Sequence, residues 1–542
     1  MNATPDTSIS DRITIPRVRF LDSNLIQHID ICIQEYFESK NILKIPRLSV
    51  GTITENMGKK GDDIQIVEDG PDKEKKAKLC PQIIASIIAT LSFLAAGLIY
   101  SWPTPVLPQI ETKTAKLHVT SDEGGWIVSA LPIGAIFGPI VSALLIDNIG
   151  RKWFLYITSV PFIACWILTY LATDWLLLFV GRLVGGISIG SIFAAVPVYL
   201  GEIVEPRIRG AVGTLLGLSL SVGNLLMCGI GPLVDMKLLA LFCLVPTVVF
   251  VLTAAWLPES PYYSLKKGKR ETAELSLVWL RGKIDNEKEI NEIVEYINAE
   301  EKGGFKELFT DRINRKSLLI VLLLSAGQQL SGLGAIQSYA GFLFKDMSLK
   351  LSPNDLVLIL CGLGIVAGAL SMVVIDRFGR RYLFLISSYI VGLCLCLIGV
   401  YFVLQKQMKL DKFSWVPLAV SVVYYIFTSL ALTSIVSVVS SEIFSIRVKR
   451  WATMFIHIFG SLLNLIVAKC YQLVVDAFGY PVIFFAFGII ELIVATTAVF
   501  VLPETSKKSL ADIQKTLHKD EHKKIDKTEK KKELEIETLE AQ

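Results

Sequence analysis

The feature that most constrains this chain is a series of uninterrupted apolar stretches, each about as long as a bilayer is thick. Ile83–Tyr100, Leu238–Leu257 and Val482–Leu502 all run near the ~20 residues that a membrane-crossing helix needs. A water-soluble core would instead show amphipathic helices with polar faces. Charged residues make up only 19% of the 542 residues, and 52% are hydrophobic, against about a quarter charged in an average globular chain. The fold class expected is an all-α membrane protein, and a soluble enzyme or a nucleic-acid binder is excluded.

The net charge of +4 says little, because the charges are segregated. The nine cysteines lie mostly inside apolar spans, as Cys165, Cys243, Cys394 and Cys396 do. They show no metal-ligand spacing and read as small buried hydrophobes, so neither a metal nor another cofactor is expected. Met1 is followed by Asn, Thr, Asp and Ser rather than a basic and then apolar run. No cleaved signal peptide is therefore expected, and the first apolar span directs insertion itself.

Twelve spans are expected, at 82–108, 126–146, 153–172, 175–200, 211–233 and 238–257, then 318–344, 354–375, 382–404, 414–440, 451–474 and 480–502. They divide the chain into a polar N-terminal tail (1–79), a six-helix half (80–258), a charged linker (259–317), a second six-helix half (318–502) and a charged tail (503–542). Most of the N-terminal tail reads as disordered, with one short amphipathic stretch at 25–37. Lys and Arg concentrate in one set of connectors: Arg151-Lys152, Arg207 and Arg209, the linker, Arg377-Arg380-Arg381, and Arg447-Lys449-Arg450. The positive-inside rule puts that set and both tails in the cytosol.

The two halves carry matching signals. Asp147-Asn-Ile-Gly150-Arg151-Lys152 follows the second span, and Asp376-Arg-Phe-Gly379-Arg380-Arg381 follows the eighth. After the fourth and tenth spans come Glu202 with Arg209 and Glu442 with Lys449, seven residues apart in both cases. One such motif means little, but its repetition in register is specific. Glycine permits the tight turn between two helices. The acids and bases sit where carboxylate and cation can pair across neighbouring helices. At the junction of two moving bundles such pairs would act as gates; the bland alternative is that they only anchor the topology.

These residues resemble the sugar-porter branch of the major facilitator superfamily, particularly the insect trehalose and hexose facilitators, over residues 80 to 515. The resemblance rests on several motifs together. They are Gly181-Arg182 opening a glycine-rich fourth helix, Pro197-Val-Tyr-Leu-Gly-Glu202 before Arg209-Gly210, and Pro258-Glu-Ser-Pro261. Gln328-Gln-Leu-Ser-Gly332, Pro503-Glu-Thr505, Trp102-Pro-x-Pro105 and Gly125-Trp126 complete the set. The resemblance implies the major facilitator fold, alternating access, a solute held midway between the halves, and short cytosolic helices in the linker.

It also implies polar solute contacts from Gln328 and Gln329, which are kept. Other family positions have changed. The asparagine after the glutamine pair is Gly334, and the fifth-helix glutamine is Gly217. The tenth-helix Gly-Pro-Ile-Pro-Trp reads Thr433-Ser-Ile-Val-Ser437, and the eleventh-helix Asn-Trp falls on Gly460-Ser461. Gln337, Asn224, Thr428, Ser429, Thr433, Ser437, Ser440 and Asn464 are the polar groups available as replacements. Small hydroxyl residues also serve close helix packing, however. His457, Lys469 and Glu491 are ionisable groups inside late spans, where charge is expensive and points to function. Arg182 lies on a helix that lines the family's pathway.

The reading is a facilitative carrier of trehalose or a hexose in the cell membrane. A carrier of another small polar solute and a transport-dead sugar sensor are the alternatives. The partners are a small-molecule solute and the lipid bilayer; protein partners are unknown and nucleic acid is not expected. Proton-coupled relatives carry an acid on the first helix near the fourth-helix arginine. Here the matching position falls near Ile99, and the span has no Asp or Glu, so transport is expected to be uncoupled from protons.

Overall fold

The computed structural model describes residues 79–112, 117–282, 286–301, 305–346, 352–407 and 415–505. The readings for the two long tails lie almost wholly outside these residues. Among the described residues twelve helices are long and apolar enough to cross a membrane. The first six are Cys80–Ile110, Ser121–Ile149, Arg151–Leu171, Trp175–Ile203, Pro206–Leu233 and Met236–Ala254. The second six are Arg312–Ser338, Pro353–Ser371, Arg380–Gln405, Val416–Ile443, Arg447–Phe478 and Tyr480–Val501. Large apolar side chains remain exposed on the outside of the bundle, among them Leu144, Val160, Leu252 and Phe500. Lipid rather than water suits such a surface.

Several spans are longer than the apolar stretches suggest. The eleventh begins at Arg447 rather than near 451, and the seventh at Arg312 rather than near 318. Helices run on through polar residues at the membrane surface, where hydropathy has already faded but backbone hydrogen bonding still favours the helix.

Close helix approach organises each half. A β-carbon at Gly134 would lie 2.0 Å from the Leu183 carbonyl, and one at Gly186 would lie 2.1 Å from that of Leu131. The second and fourth spans thus touch backbone to backbone, as small residues allow in membranes. Gly97 and Gly223 make the same reciprocal approach between the first and fifth spans. The halves meet along two seams, the second span against the eleventh and the fifth against the eighth.

Three spans are interrupted. The first breaks at Trp102, with Pro103 opening a second segment, Pro103–Ile110. The seventh breaks at Ser331–Gly332, where Gly332 has φ +76° and its α-carbon faces Phe487. The tenth contains a π-helical turn, Thr428–Leu432, directly before the stretch in which the family's prolines are missing. Thr433 and Ser434 turn their hydroxyls onto the Ser429 carbonyl at 3.1 and 3.4 Å, supplying partners for backbone the wider turn leaves.

The charged linker is helical, with Pro261–Lys266, Arg270–Arg281, Glu287–Glu301 and Phe305–Thr310. Buried Arg281 donates to the Ile203 carbonyl at 2.8 Å and to Glu289 at 2.6 Å, docking the linker under the fourth span. Phe305 and Phe309 pack on Trp451 and Phe455 of the eleventh span. The end of the bundle that holds this linker is called the linker face below.

Candidate functional site

At the linker face each half builds the same charged corner. The chain turns through Gly150 (φ +98°) and Gly379 (φ +84°), backbone conformations that favour glycine. The helix that follows begins with free N–H groups, and a distant glutamate takes them. Glu259 accepts from the Arg151 and Lys152 N–H groups at 2.9 and 3.1 Å. Glu504 accepts from those of Arg380 and Arg381 at 3.0 and 3.1 Å. These are the acids of the two Pro-Glu-Ser/Thr motifs. The hydroxyl next to each acid completes the corner: Ser260 donates to Glu202 and Thr505 to Glu442 at 2.7 Å.

The candidate gating charges sort into two groups. Arg151, buried, grips Glu202 at 2.9 Å and Asp147 at 3.0 Å, and Arg380 pairs with Glu442 at 3.1 Å. Arg209 and Lys449 hydrogen-bond backbone instead, to the carbonyls of Val204 and Ser441. The acid of each seven-residue pair is thus held by the arginine of the glycine turn. The side chain of Asp376 lies outside the described residues.

The contact across the halves comes from Arg450, which binds both the carboxylate of Asp147 and the carbonyl of Ala143. Lys266 of the linker joins the same carboxylate at 3.3 Å. Arg450 stood in the sequence only as one of a basic cluster. Its register equivalent in the first half is Gly210, so the repeat did not single it out.

At the opposite face a second set of contacts crosses the halves. Lys469 pairs with Asp122 at 2.8 Å and lies 4.2 Å above the Trp126 ring. Gln472 reaches Ser121 at 2.8 Å and Asp476 at 2.9 Å. Glu111 sits beside this cluster. Burial, and then the Asp476 carboxylate, push its acid up to about 7.

Between the two faces lies a network of amides and hydroxyls. Asn464 of the eleventh span donates to the Tyr100 hydroxyl of the first at 2.6 Å. Gln337 of the seventh donates to Ser101 at 2.7 Å, and Ser101 to Asn224 of the fifth at 2.9 Å. Thr104 closes it onto the Gln337 carbonyl at 2.6 Å. Asn464 also explains one departure from the resemblance: its Oδ1 lies 3.1 Å from where a β-carbon of Gly334 would stand. The seventh-helix amide that is missing there is replaced in space by an eleventh-helix amide. Reciprocally, the Gln329 amide nitrogen lies 3.6 Å from a β-carbon placed at Gly460, over the position where the family has a side chain. Gln328 is half-buried on the seventh span, and its carbonyl accepts from the Ser331 hydroxyl at 2.8 Å. Thr433 is turned back on its own helix, and Ser437 is exposed on the tenth span. Neither is joined to the network. Tyr100 and Ser101, which are joined, lie in an apolar run that hides their role in the sequence.

Arg182 is buried and spends its guanidinium on backbone, donating to the carbonyls of Ile127 at 2.9 Å and Ile99 at 3.1 Å. Pro103 has no N–H to offer Ile99 four residues earlier, which frees that carbonyl. Trp102 covers the guanidinium at 5.4 Å. His457 faces Phe193 of the fourth span across the halves, ring centres 6.5 Å apart. Glu491 is fully buried within the second half, near Gly327 of the seventh span.

The sugar (and other) transporter family matches residues 83–517, four-fifths of the sequence. The chain belongs to that family. Among its relatives, the facilitated trehalose transporter Tret1 of Bombyx mori is 31% identical over 83% of this chain and 90% of its own length. That of Apis mellifera ligustica is 29% identical over 84% and 92%. The chain spans 61% of the Aedes aegypti Tret1, at 29% identity over 89% of its own residues. Among solved structures, the major facilitator proton:xylose symporter XylE bound to 6-bromo-6-deoxy-D-glucose superposes with a TM-score of 0.66 at 20% identity. It covers 80% of this chain and 99% of that one. XylE from E. coli in a partially occluded inward-open form gives 0.66 at 19% identity, over 79% and 99%. The fold is that of the major facilitator superfamily.

Proposed function

We propose that the chain is a facilitative carrier of a sugar, trehalose or a hexose, moved by alternating access through the seams between its two halves. The observation that carries this reading is the amide exchange around Gly334 and Gly460. Asn464 and Gln329 return donors and acceptors to the centre of the bundle where the family's own side chains are gone. Amides offer both donor and acceptor, which suits the vicinal hydroxyls of a sugar. Gln328, Gln329, Gln337 and Asn464 are the binding residues of this reading, with Tyr100 and Asn224 added. Thr433 contributes through the π-turn of the tenth span, onto which its hydroxyl bonds, and Ser437 lies further along the same span.

Asp147, Arg151, Glu202, Arg380 and Glu442 form the linker-face gate, with Arg450 as the group that crosses it. Arg209, Lys449 and Asp376 belong to the same corners. The linker face is cytosolic in this reading, both termini lie there, and the protein works in the cell membrane. The tails, the two six-helix halves and the linker are the units of this reading, with the second half beginning at Arg312, where the seventh span starts.

Transport runs down the gradient without protons, because Arg182 is satisfied by the Ile99 carbonyl where a titratable acid would be needed. Purified protein in liposomes, given labelled trehalose and a hexose panel, tests the reading. Uptake should rise to equilibrium and no further, and a protonophore should leave the final level unchanged. Uptake of no sugar, or accumulation that a protonophore collapses, would overturn it.

A further inference from the structure

Cys228 near the end of the fifth span and Cys361 in the eighth face each other with their sulfurs 3.7 Å apart. Both are free thiols. They belong to different halves, so this contact crosses one of the two seams that alternating access must open. Cys228 lies five residues before the end of its span at Leu233, and Cys361 eight residues after Pro353. At about 1.5 Å of rise per residue both stand in the half of the membrane nearest the face opposite the linker. Cys228 also lines a small cleft with Thr104, Pro105, Pro232, Asn354 and Val357. Pro232 and Asn354 are at helix ends on that face, so this small cleft joins Cys228 to it.

We propose that Cys228 and Cys361 are a modification site, a dithiol that closes to a disulfide and locks the two halves together at the face opposite the linker. The sulfurs already touch at van der Waals distance, and a disulfide bond needs them at about 2.05 Å, a small movement of two side chains. An external small-molecule disulfide is the oxidant. One cysteine thiolate attacks it, forming a mixed disulfide and releasing one thiol. The second cysteine attacks the protein sulfur of that mixed disulfide and releases the other. The chain loses two electrons and two thiol protons, and the oxidant leaves as two thiols. This chemistry belongs to an oxidising compartment, which the extracellular side provides. The remaining candidate seam, between the second and eleventh spans, has no such pair among the described residues. The bond would thus hold shut the face where the fifth and eighth spans must part.

The inference rests on the alternating-access reading, and its test separates the two. The protein in liposomes is treated with 2-hydroxyethyl disulfide, digested without reduction and mapped by mass spectrometry. Peptides containing Cys228 and Cys361 should appear joined, and Cys228→Ser or Cys361→Ser should each abolish the joined species. Solute exchange, measured in parallel, should fall at least tenfold in the oxidised wild type, recover with dithiothreitol, and be insensitive to oxidant in both variants. No joined peptide would overturn the site. A joined peptide with exchange unchanged would overturn the lock. Absence of exchange in the reduced protein would instead strike the transport reading, while the joined peptide would still report the pair. If one serine variant fails to fold, the other together with N-ethylmaleimide-blocked wild type gives the same comparison.

Discussion

Arg450 of the eleventh span reaches across the linker face to Asp147 of the second, and the same carboxylate is held at 3.0 Å by Arg151 of its own half. One acid therefore serves three cations, Arg151, Lys266 of the linker and Arg450, of which only Arg450 belongs to the other half. Breaking that pair should release the gate without dismantling the corner that Arg151 and Glu202 build.

Arg450→Gln is expected to shift the population towards the form open at the linker face. A tenfold shift needs about 1.4 kcal/mol, within reach of one partly buried pair. Labelling of single cysteines placed on the linker-face side of the seam should rise several-fold, with expression at the surface unchanged. Arg151→Gln should perturb both the state distribution and the fold, because it also loses Glu202. Equal labelling in wild type and Arg450→Gln would remove Arg450 from the gate.

The opposite face should respond to pH through Glu111. Its acid is raised to about 7 while the halves are in contact, and in an open form, exposed to water, it would return towards the ordinary carboxylate value. A raised acid favours the closed form when protonated. Closure at this face is thus most stable below the ordinary value, weakens as pH climbs towards 7, and is unaffected above that. Exchange limited by opening at this face should speed up between about pH 5 and 7 and then level off. Glu111→Gln should flatten the profile; a profile unchanged by that substitution would assign the dependence elsewhere.

At the centre, Gln329→Ala and Asn464→Ala are each expected to raise the half-saturation concentration about tenfold, the worth of roughly one good polar contact. Gln328→Ala should do the same. Turnover at saturation is expected to stay within about threefold, since ground-state contacts are the ones removed. Thr433→Ala should move neither constant by more than twofold. Concentration series in liposomes give both constants, and normal half-saturation in all three amide variants would move the solute site away from this network.

Glu259 and Glu504 should matter for stability to similar extents. Each accepts two helix-start N–H groups, so Glu259→Ala and Glu504→Ala leave those donors without a carboxylate. A loss of about 1–2 kcal/mol is expected for each. Thermal unfolding in detergent should show a lower Tm for both variants. A drop for one and not the other would break the equivalence of the two corners.

What the sequence determined by itself is what the bilayer and the chain's own repetition make local. Twelve spans follow from apolar length, since no other local pattern hides a backbone from lipid. Two halves follow from the paired glycine turns at Gly150 and Gly379, each flanked by the same acid and bases. Membership of the sugar transporter family follows from motifs that are contiguous in the chain. What only the tertiary structure decided is which distant groups meet. Arg450 finds Asp147, Glu259 caps Arg151, and the Asn464 amide fills the space over Gly334. Each of these joins residues far apart in the sequence, whose meeting depends on how helices pack and which face each one turns inward. Helical periodicity is faint in spans that are apolar all round, because lipid and core accept the same side chains. The repeat pointed to Arg209 and Lys449, but close packing gave the cross-half contact to Arg450, whose counterpart Gly210 has no side chain with which to mirror it.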